Sequence, residues 1–162
     1  MAYTEITAFT IPPEADAGIE IDFEVAVKLL SQPSDWSNLA VGLEYSDGPS
    51  DFVEIIMMGN YQRIPKGRIF VYTMPLPNVG EEVTVPIILK PLFSTGVYTF
   101  TVRSGHVNGE FSEDTYLSRT LNVKGVAAPP VSPTVDVSGL VSSLIALVMI
   151  LMLISLLRSI MT

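Results

Sequence analysis

Ile19-Glu20-Ile21-Asp22-Phe23-Glu24-Val25-Ala26-Val27-Lys28-Leu29 alternates apolar with polar or small residues along its whole length. A period of two sends successive side chains to opposite faces of an extended strand. The stretch therefore reads as an 11-residue strand whose dry face is Ile19, Ile21, Phe23, Val25, Val27 and Leu29. A strand with one wet face belongs to an antiparallel sheet, because parallel sheets are covered on both sides.

Working outward, the same period marks Leu39–Tyr45, with Leu39, Val41, Leu43 and Tyr45 inward, then Val83–Leu89, Val97–Arg103 and Tyr116–Val123. Phe52–Met58, Arg68–Met74 and a first strand at Thr4–Thr10 bring the total to about eight, all antiparallel. Turn chemistry separates them: Pro12-Pro13, Ser46-Asp47-Gly48-Pro49, Pro65-Lys66-Gly67, Pro75 to Gly80, and Asn108-Gly109. No helical period competes before residue 137. Short strands at this spacing predict an all-β fold, an antiparallel β-sandwich of about 7–8 strands followed by a C-terminal transmembrane α-helix.

The segments Ala17 to Val25, Leu39 to Tyr45, Gly80 to Ile87 and Gly96-Val-Tyr98-Thr-Phe100-Thr-Val102 follow one another as the strands of an immunoglobulin-like domain do. Over residues 4 to 123 the chain resembles immunoglobulin-like domains of the fibronectin-III and CARDB type. The resemblance implies that the strand bearing Tyr98 packs late in the sandwich. The chain departs from true immunoglobulin domains in lacking the Cys…Trp…Cys set, and its single tryptophan, Trp36, falls in a polar loop. Sandwiches of this kind carry many unrelated functions, so the resemblance speaks for fold rather than activity.

Val137 to Leu157 run for 21 residues without a charge. At about 1.5 Å per residue this is roughly 31 Å of helix, close to the ~30 Å hydrocarbon thickness of a bilayer. Leu140, Val141, Leu144, Ile145, Leu147, Val148 and Ile150 cover every face, which a buried soluble helix would not need. The expected organisation is a β-sandwich at 1–124, a Pro-rich stalk at 125–135 and a transmembrane helix at 136–160. The N-terminal residues Met1 to Ile6 offer no basic n-region or apolar h-region, so a tail-anchor route is expected. Arg158 beyond the helix and Asp136 before it point to a cytoplasmic C-terminus, but Lys124 nearly cancels them, and orientation stays open.

Seventeen acidic against nine basic residues give a net charge of −8 and leave no basic patch, which argues against nucleic acid. Zero cysteines exclude a disulfide framework, a thiol nucleophile and thiolate metal sites. No Asn-x-Ser/Thr acceptor is present. His106, the only histidine, is expected in a hairpin loop and has no second histidine or cysteine to complete a metal site. No Gly-x-Ser-x-Gly elbow presents a nucleophile. The carboxylates Asp47 and Asp51, and Glu110, Glu113 and Asp114, read as solvated turns, with a calcium site as the alternative. The expectation is a protein without a cofactor or a catalytic site.

Phe52–Met58 and Arg68–Met74 break the alternation, being apolar on both faces. Such strands need two covers, the core on one side and either an overlying loop or a partner on the other. Phe52, Ile56, Met58, Phe70 and Tyr72 are thus candidate interface residues. In the helix, Ser138, Ser142 and Ala146 recur every fourth position beside Gly139 and Ser143, a small-residue stripe that lets helices approach closely. The function expected is structural: a single-pass, membrane-anchored sandwich binding the lipid bilayer, other protein subunits of an assembly and, through its helix, copies of itself. The favoured form is a virion protein linking lipid to capsid; an accessory subunit of a cellular membrane complex is the other. The competing class is a glycan- or calcium-binding domain using a loop end bearing Asp47, Asp51, His106 and Glu110.

Overall fold

The structure, a computed structural model, describes residues 1–125 and 137–160. The chain forms two units, a β-sandwich and an apolar helix, each described by itself. The expected stalk lies, apart from Gly125, outside the described residues.

Ten strands build the sandwich: β1 (Thr4–Phe9), β2 (Glu14–Asp16), β3 (Ile21–Leu29), β4 (Asn38–Asp47), β5 (Phe52–Met57), β6 (Asn60–Pro65), β7 (Arg68–Pro75), β8 (Glu82–Leu89), β9 (Gly96–Asn108) and β10 (Glu110–Lys124). One sheet has the order β1-β3-β8-β5-β6 and the other β2-β10-β9-β4-β7. Pro12-Pro13 divides the first strand between them, because proline cannot donate to a ladder and ends the pairing of β1 with β3. Beyond the break, β2 runs parallel to β10, and Pro13 O accepts from Asn122 N at 2.8 Å. This split first strand closing on the last makes the chain an immunoglobulin-like β-sandwich.

Tyr98, near the start of β9 and fully buried, donates its hydroxyl to Ser94 O at 2.9 Å, four residues upstream. This is the tyrosine corner of immunoglobulin-like folds. Ser50 Oγ also lies 2.7 Å from that hydroxyl, and Tyr45 Oη donates to Ser50 O at 2.7 Å, so two stacked tyrosines clamp the β4–β5 turn.

The core follows the expected phase. Phe23, Val25, Val27 and Leu29 of β3, Leu39, Val41, Leu43 and Tyr45 of β4, and Tyr98, Phe100 and Val102 of β9 are all buried between the sheets.

Four expectations are corrected. The strands number ten rather than eight, since β2 has three residues, too few to show a period, and β6 buries only Ile64. The sheets are not wholly antiparallel, because of the β2·β10 pairing. Ile19 does not belong to the dry face: Gly18 adopts φ +82°, the chain turns there, β3 begins at Ile21, and Ile19 is 51% exposed. His106 lies within β9 rather than in the hairpin loop, which closes later at Asn108-Gly109, with Gly109 at φ +79°. Trp36 is in a loop, as expected, yet its ring is buried against the core.

The register defines two ends. Lys124, Gly96, Asp47, Ile21 and Leu89 lie at one, from which the chain leaves β10; Asn108-Gly109 and the loops 30–37 and 76–81 lie at the other.

The second unit is α1 (Val137–Ile160). Its stretch from Ser138 to Ile160 is long and apolar enough to cross a membrane by length and composition, and none of it is buried.

Candidate functional site

The β5–β6 hairpin is the element on which the site turns. Met57 pairs with Asn60, so the turn consists of Met58 and Gly59, with φ +51° and +78°. A two-residue hairpin turn of type I′ needs left-handed backbone at both positions, which Asn-Gly supplies most readily. A methionine there costs about 1–2 kcal/mol, and its side chain is 40% exposed at the tip.

The hairpin is too short to cover its own sheet. β5 pairs with β8 only at Ile87, Ile88 and Leu89, and Met58 N reaches Pro86 O at 3.3 Å. Among the described residues no strand lies beside Glu82–Val85 on that side. A gap in the sheet results.

Facing the gap is β7, the edge strand of the opposite sheet. Its register with β4, Phe70↔Leu43, Tyr72↔Val41 and Met74↔Leu39, puts Phe70, Tyr72 and Met74 on the inner face with fully buried partners. An edge strand opposite a gap has no roof, so all three are only half-buried. On the outer face Ile69 and Val71 cover Gly42, where a Cβ would collide with the Ile69 side chain. Met58, Tyr72, Met74, Leu76, Pro77 and Val83 together line an apolar groove along this gap. Its rim is polar, with Glu81 accepting from Asn78 N at 2.9 Å and Asn78 Nδ2 at 3.0 Å.

Of the residues singled out from sequence, Met58 and Tyr72 meet in this groove, and Phe70 follows Tyr72 on the same face. Ile56 lies on the outer face of β5, in register with Tyr61 and Ile88. Phe52 is at the chain-exit end, under the Arg63 guanidinium at 4.2 Å. The five do not form one patch. Leu76 and Val83 were not singled out from sequence, because the gap arises from hairpin length, which no periodicity encodes. The stripe Ser138, Gly139, Ser142, Ser143 and Ala146 lies on α1, where Ser143 Oγ donates to Gly139 O at 2.9 Å within the helix.

The carboxylates serve other ends. Asp47 is level with Thr99, and His106 is seven residues further along β9, about 23 Å away at 3.3 Å per residue. Asp47 and Asp51 therefore sit at one end and His106 and Glu110 at the other, and the loop site expected from these four does not converge. Glu113 pairs with Arg103, which also binds Glu44 at 2.6 Å. Asp114 accepts from Tyr3 N, Thr4 N and Thr4 Oγ1 at 2.7–2.9 Å and ties down the first strand. Among the described residues no group of three or more such side chains could hold a metal ion. The His106 ring stacks on Trp36 at 4.7 Å, with Tyr3 edge-on to the indole at 5.6 Å.

No family model matches the chain, and no curated protein matches it. Solved structures similar to it include AvmM, which catalyses macrocyclization in alchivemycin A biosynthesis, with a TM-score of 0.48 and 12% identity over 81% of this chain and 92% of that one. Another is the CARDB domain of the PF1109 protein from Pyrococcus furiosus, in complex with di-metal ions, at 0.44 and 12% over 78% and 98%. A third is a cohesin module from a Clostridium perfringens family 33 glycoside hydrolase, at 0.44 and 14% over 78% and 100%. Likenesses this distant say nothing about activity, and the fold assignment rests on the strand pairing and the tyrosine corner.

Proposed function

We propose that this protein is a non-enzymatic structural and interaction component, held on a lipid bilayer by α1 and recruiting another protein through the groove beside Met58. The observation that carries the reading is the gap itself: a segment of β8, Glu82–Val85, that among the described residues is paired only on its β3 side, next to half-buried Tyr72 and Met74. A segment added there would find free backbone groups along β8 and an apolar wall on β7, the requirements of strand addition. The partner is therefore an extended segment with apolar residues at alternate positions. The strained Met58 turn supports the same reading, since a bulky side chain in left-handed backbone is retained where it has work to do.

The favoured specific form is a membrane-associated virion protein that links lipid to capsid, with the small-residue stripe of α1 pairing copies in the bilayer. It draws support from a chain free of cysteine and of glycan acceptors. An accessory subunit of a cellular membrane complex would use the same surfaces, and the identity of the neighbour separates the two. A photo-cross-linking residue at Met74, with Tyr116 as an exposed control elsewhere, tests the reading in the native membrane. A single defined protein product from position 74 and none from 116 is expected. Equal or absent products from both would overturn it.

A further inference from the structure

We infer that the groove beside Met58 takes an apolar-x-apolar-x-basic segment running antiparallel to β8, with Thr84 as the residue that pairs with it. The inference rests on the reading of the groove as a docking site and names the chemistry of what docks there. Alternate residues of an antiparallel strand turn their N–H and C=O groups to opposite sides. Leu29 N donates to Glu81 O at 3.2 Å on the β3 side, whereas Lys90 N donates to Glu54 O at 2.9 Å and Met58 N to Pro86 O at 3.3 Å on the β5 side. Odd-numbered residues of β8 thus face β3, and even-numbered ones face β5 and the gap. Pro86 brings no N–H to that row, and its carbonyl is taken by Met58. Thr84 and Glu82 remain, each turning a donor and an acceptor toward the gap, where neither backbone has a partner among the described residues.

The register of β8 converts these groups into a residue pattern. Only an antiparallel segment lets one residue exchange both bonds with Thr84. The residues on either side of it then stand opposite Val83 and Val85, half-buried and buried on the inner face, so their side chains enter the groove walled by Tyr72 and Met74 and are apolar. The central residue lies beside exposed Thr84 on the outer face, where a polar side chain is at home. Toward the start of β8, the next inward side chain of the segment comes level with Glu81. Among the described residues lining the groove, Glu81 is the one that carries a charge. Its Oε2 accepts from Asn78 N and Nδ2, while its Oε1 has no partner among the described residues. A lysine or arginine opposite Glu81 completes the pair, and the chain's net charge of −8 draws a basic segment to it.

Amide hydrogen exchange of the full chain in detergent, read residue by residue, tests the pattern with a capped synthetic peptide containing Val-Thr-Val-Thr-Lys. The peptide at millimolar concentration should slow exchange at Glu82 and Thr84 by about tenfold and leave Val83 and Val85, already bonded to β3, unchanged. A peptide of the same composition ordered Val-Val-Thr-Thr-Lys, and one with glutamate in place of lysine, should protect several-fold less. Equal protection by all three, or slow exchange at Thr84 without any peptide, would overturn the inference. In the native membrane, Thr84→Pro removes an N–H that the fold leaves unused and should abolish the cross-linked product from position 74, whereas Thr84→Val, which keeps the N–H, should retain it. A Thr84→Pro chain that melts like the parent and still gives the product would sink pairing at Thr84 while the docking groove stands. Absence of the product from the parent chain would sink both. Where Thr84→Pro does not fold, the exchange rates of the unaltered chain decide.

Discussion

The hydroxyl of Tyr98 donates to the carbonyl of Ser94, 2.9 Å away, and thereby ties the first residues of β9 to the loop that precedes them. The same oxygen meets Ser50 Oγ at 2.7 Å, so one buried phenol joins two loops at the chain-exit end. Tyr98→Phe removes a donor and an acceptor while filling the same space. It should cost about 1–3 kcal/mol, read as a lower urea midpoint at unchanged slope for the full chain in detergent. A variant as stable as the parent would show that the corner is not holding these loops.

Phe23 is buried in the middle of β3 and meets Phe9 at a centroid distance of 5.8 Å. Phe23→Ala should destabilise by about 3–5 kcal/mol, whereas Ile19→Ala, outside the dry face, should leave the melting temperature nearly unchanged. Equal losses at both positions would contradict the start of β3 at Ile21.

Met58 offers a separation of stability from function. Met58→Asn relieves the left-handed strain and should stabilise the fold by about 1 kcal/mol. The same change removes an apolar wall of the groove and should weaken cross-linking from position 74. Loss of stability in this variant would mean that Met58 packs as core rather than standing at a strained tip.

Burial pushes the Tyr45 phenol up to about 12, helped by the neighbouring Tyr98 and by the carboxylates of Asp47 and Asp51. An acid whose folded pKa is raised is held neutral by the fold. Its contribution is complete below pH 10 and fades as pH rises through about 12. Stability curves between pH 9 and 12 should fall more steeply for the parent than for Tyr45→Phe, by of order 2 kcal/mol across the window. Parallel curves would place the phenol in water.

Truncation after Pro133 should release a folded, soluble sandwich, because the core between the sheets is complete without α1. Centrifugation of the truncated chain with membranes checks this. Sedimentation with the membranes would mean that the sandwich surface alone, rather than the helix, retains the protein there.

Hydropathy at periods of two and of unbroken length already determined much of this protein. The alternation at Ile21–Leu29 and Leu39–Tyr45 dictated which side chains are buried, since a pleated strand presents alternate residues to a single apolar layer. The 21 uncharged residues from Val137 dictated a helix of bilayer length. The late position of the Tyr98 strand was implied by the resemblance of its Gly-x-Tyr-x-Phe stretch to immunoglobulin-like domains. Only the tertiary structure decided which apolar residues share a surface. Phe52, Ile56 and Tyr72 look equivalent in sequence, yet strand order sends Phe52 to the chain-exit end, Ile56 to the outer face of one sheet and Tyr72 to the inner face of the other. Likewise Asp47 and His106 belong to ends about 23 Å apart, although each reads as a loop polar group. Periodicity reports the face of a strand. The height at which a hairpin stops, and hence whether its neighbour is roofed or open, depends on register between strands distant in sequence, and that is where the groove beside Met58 originates.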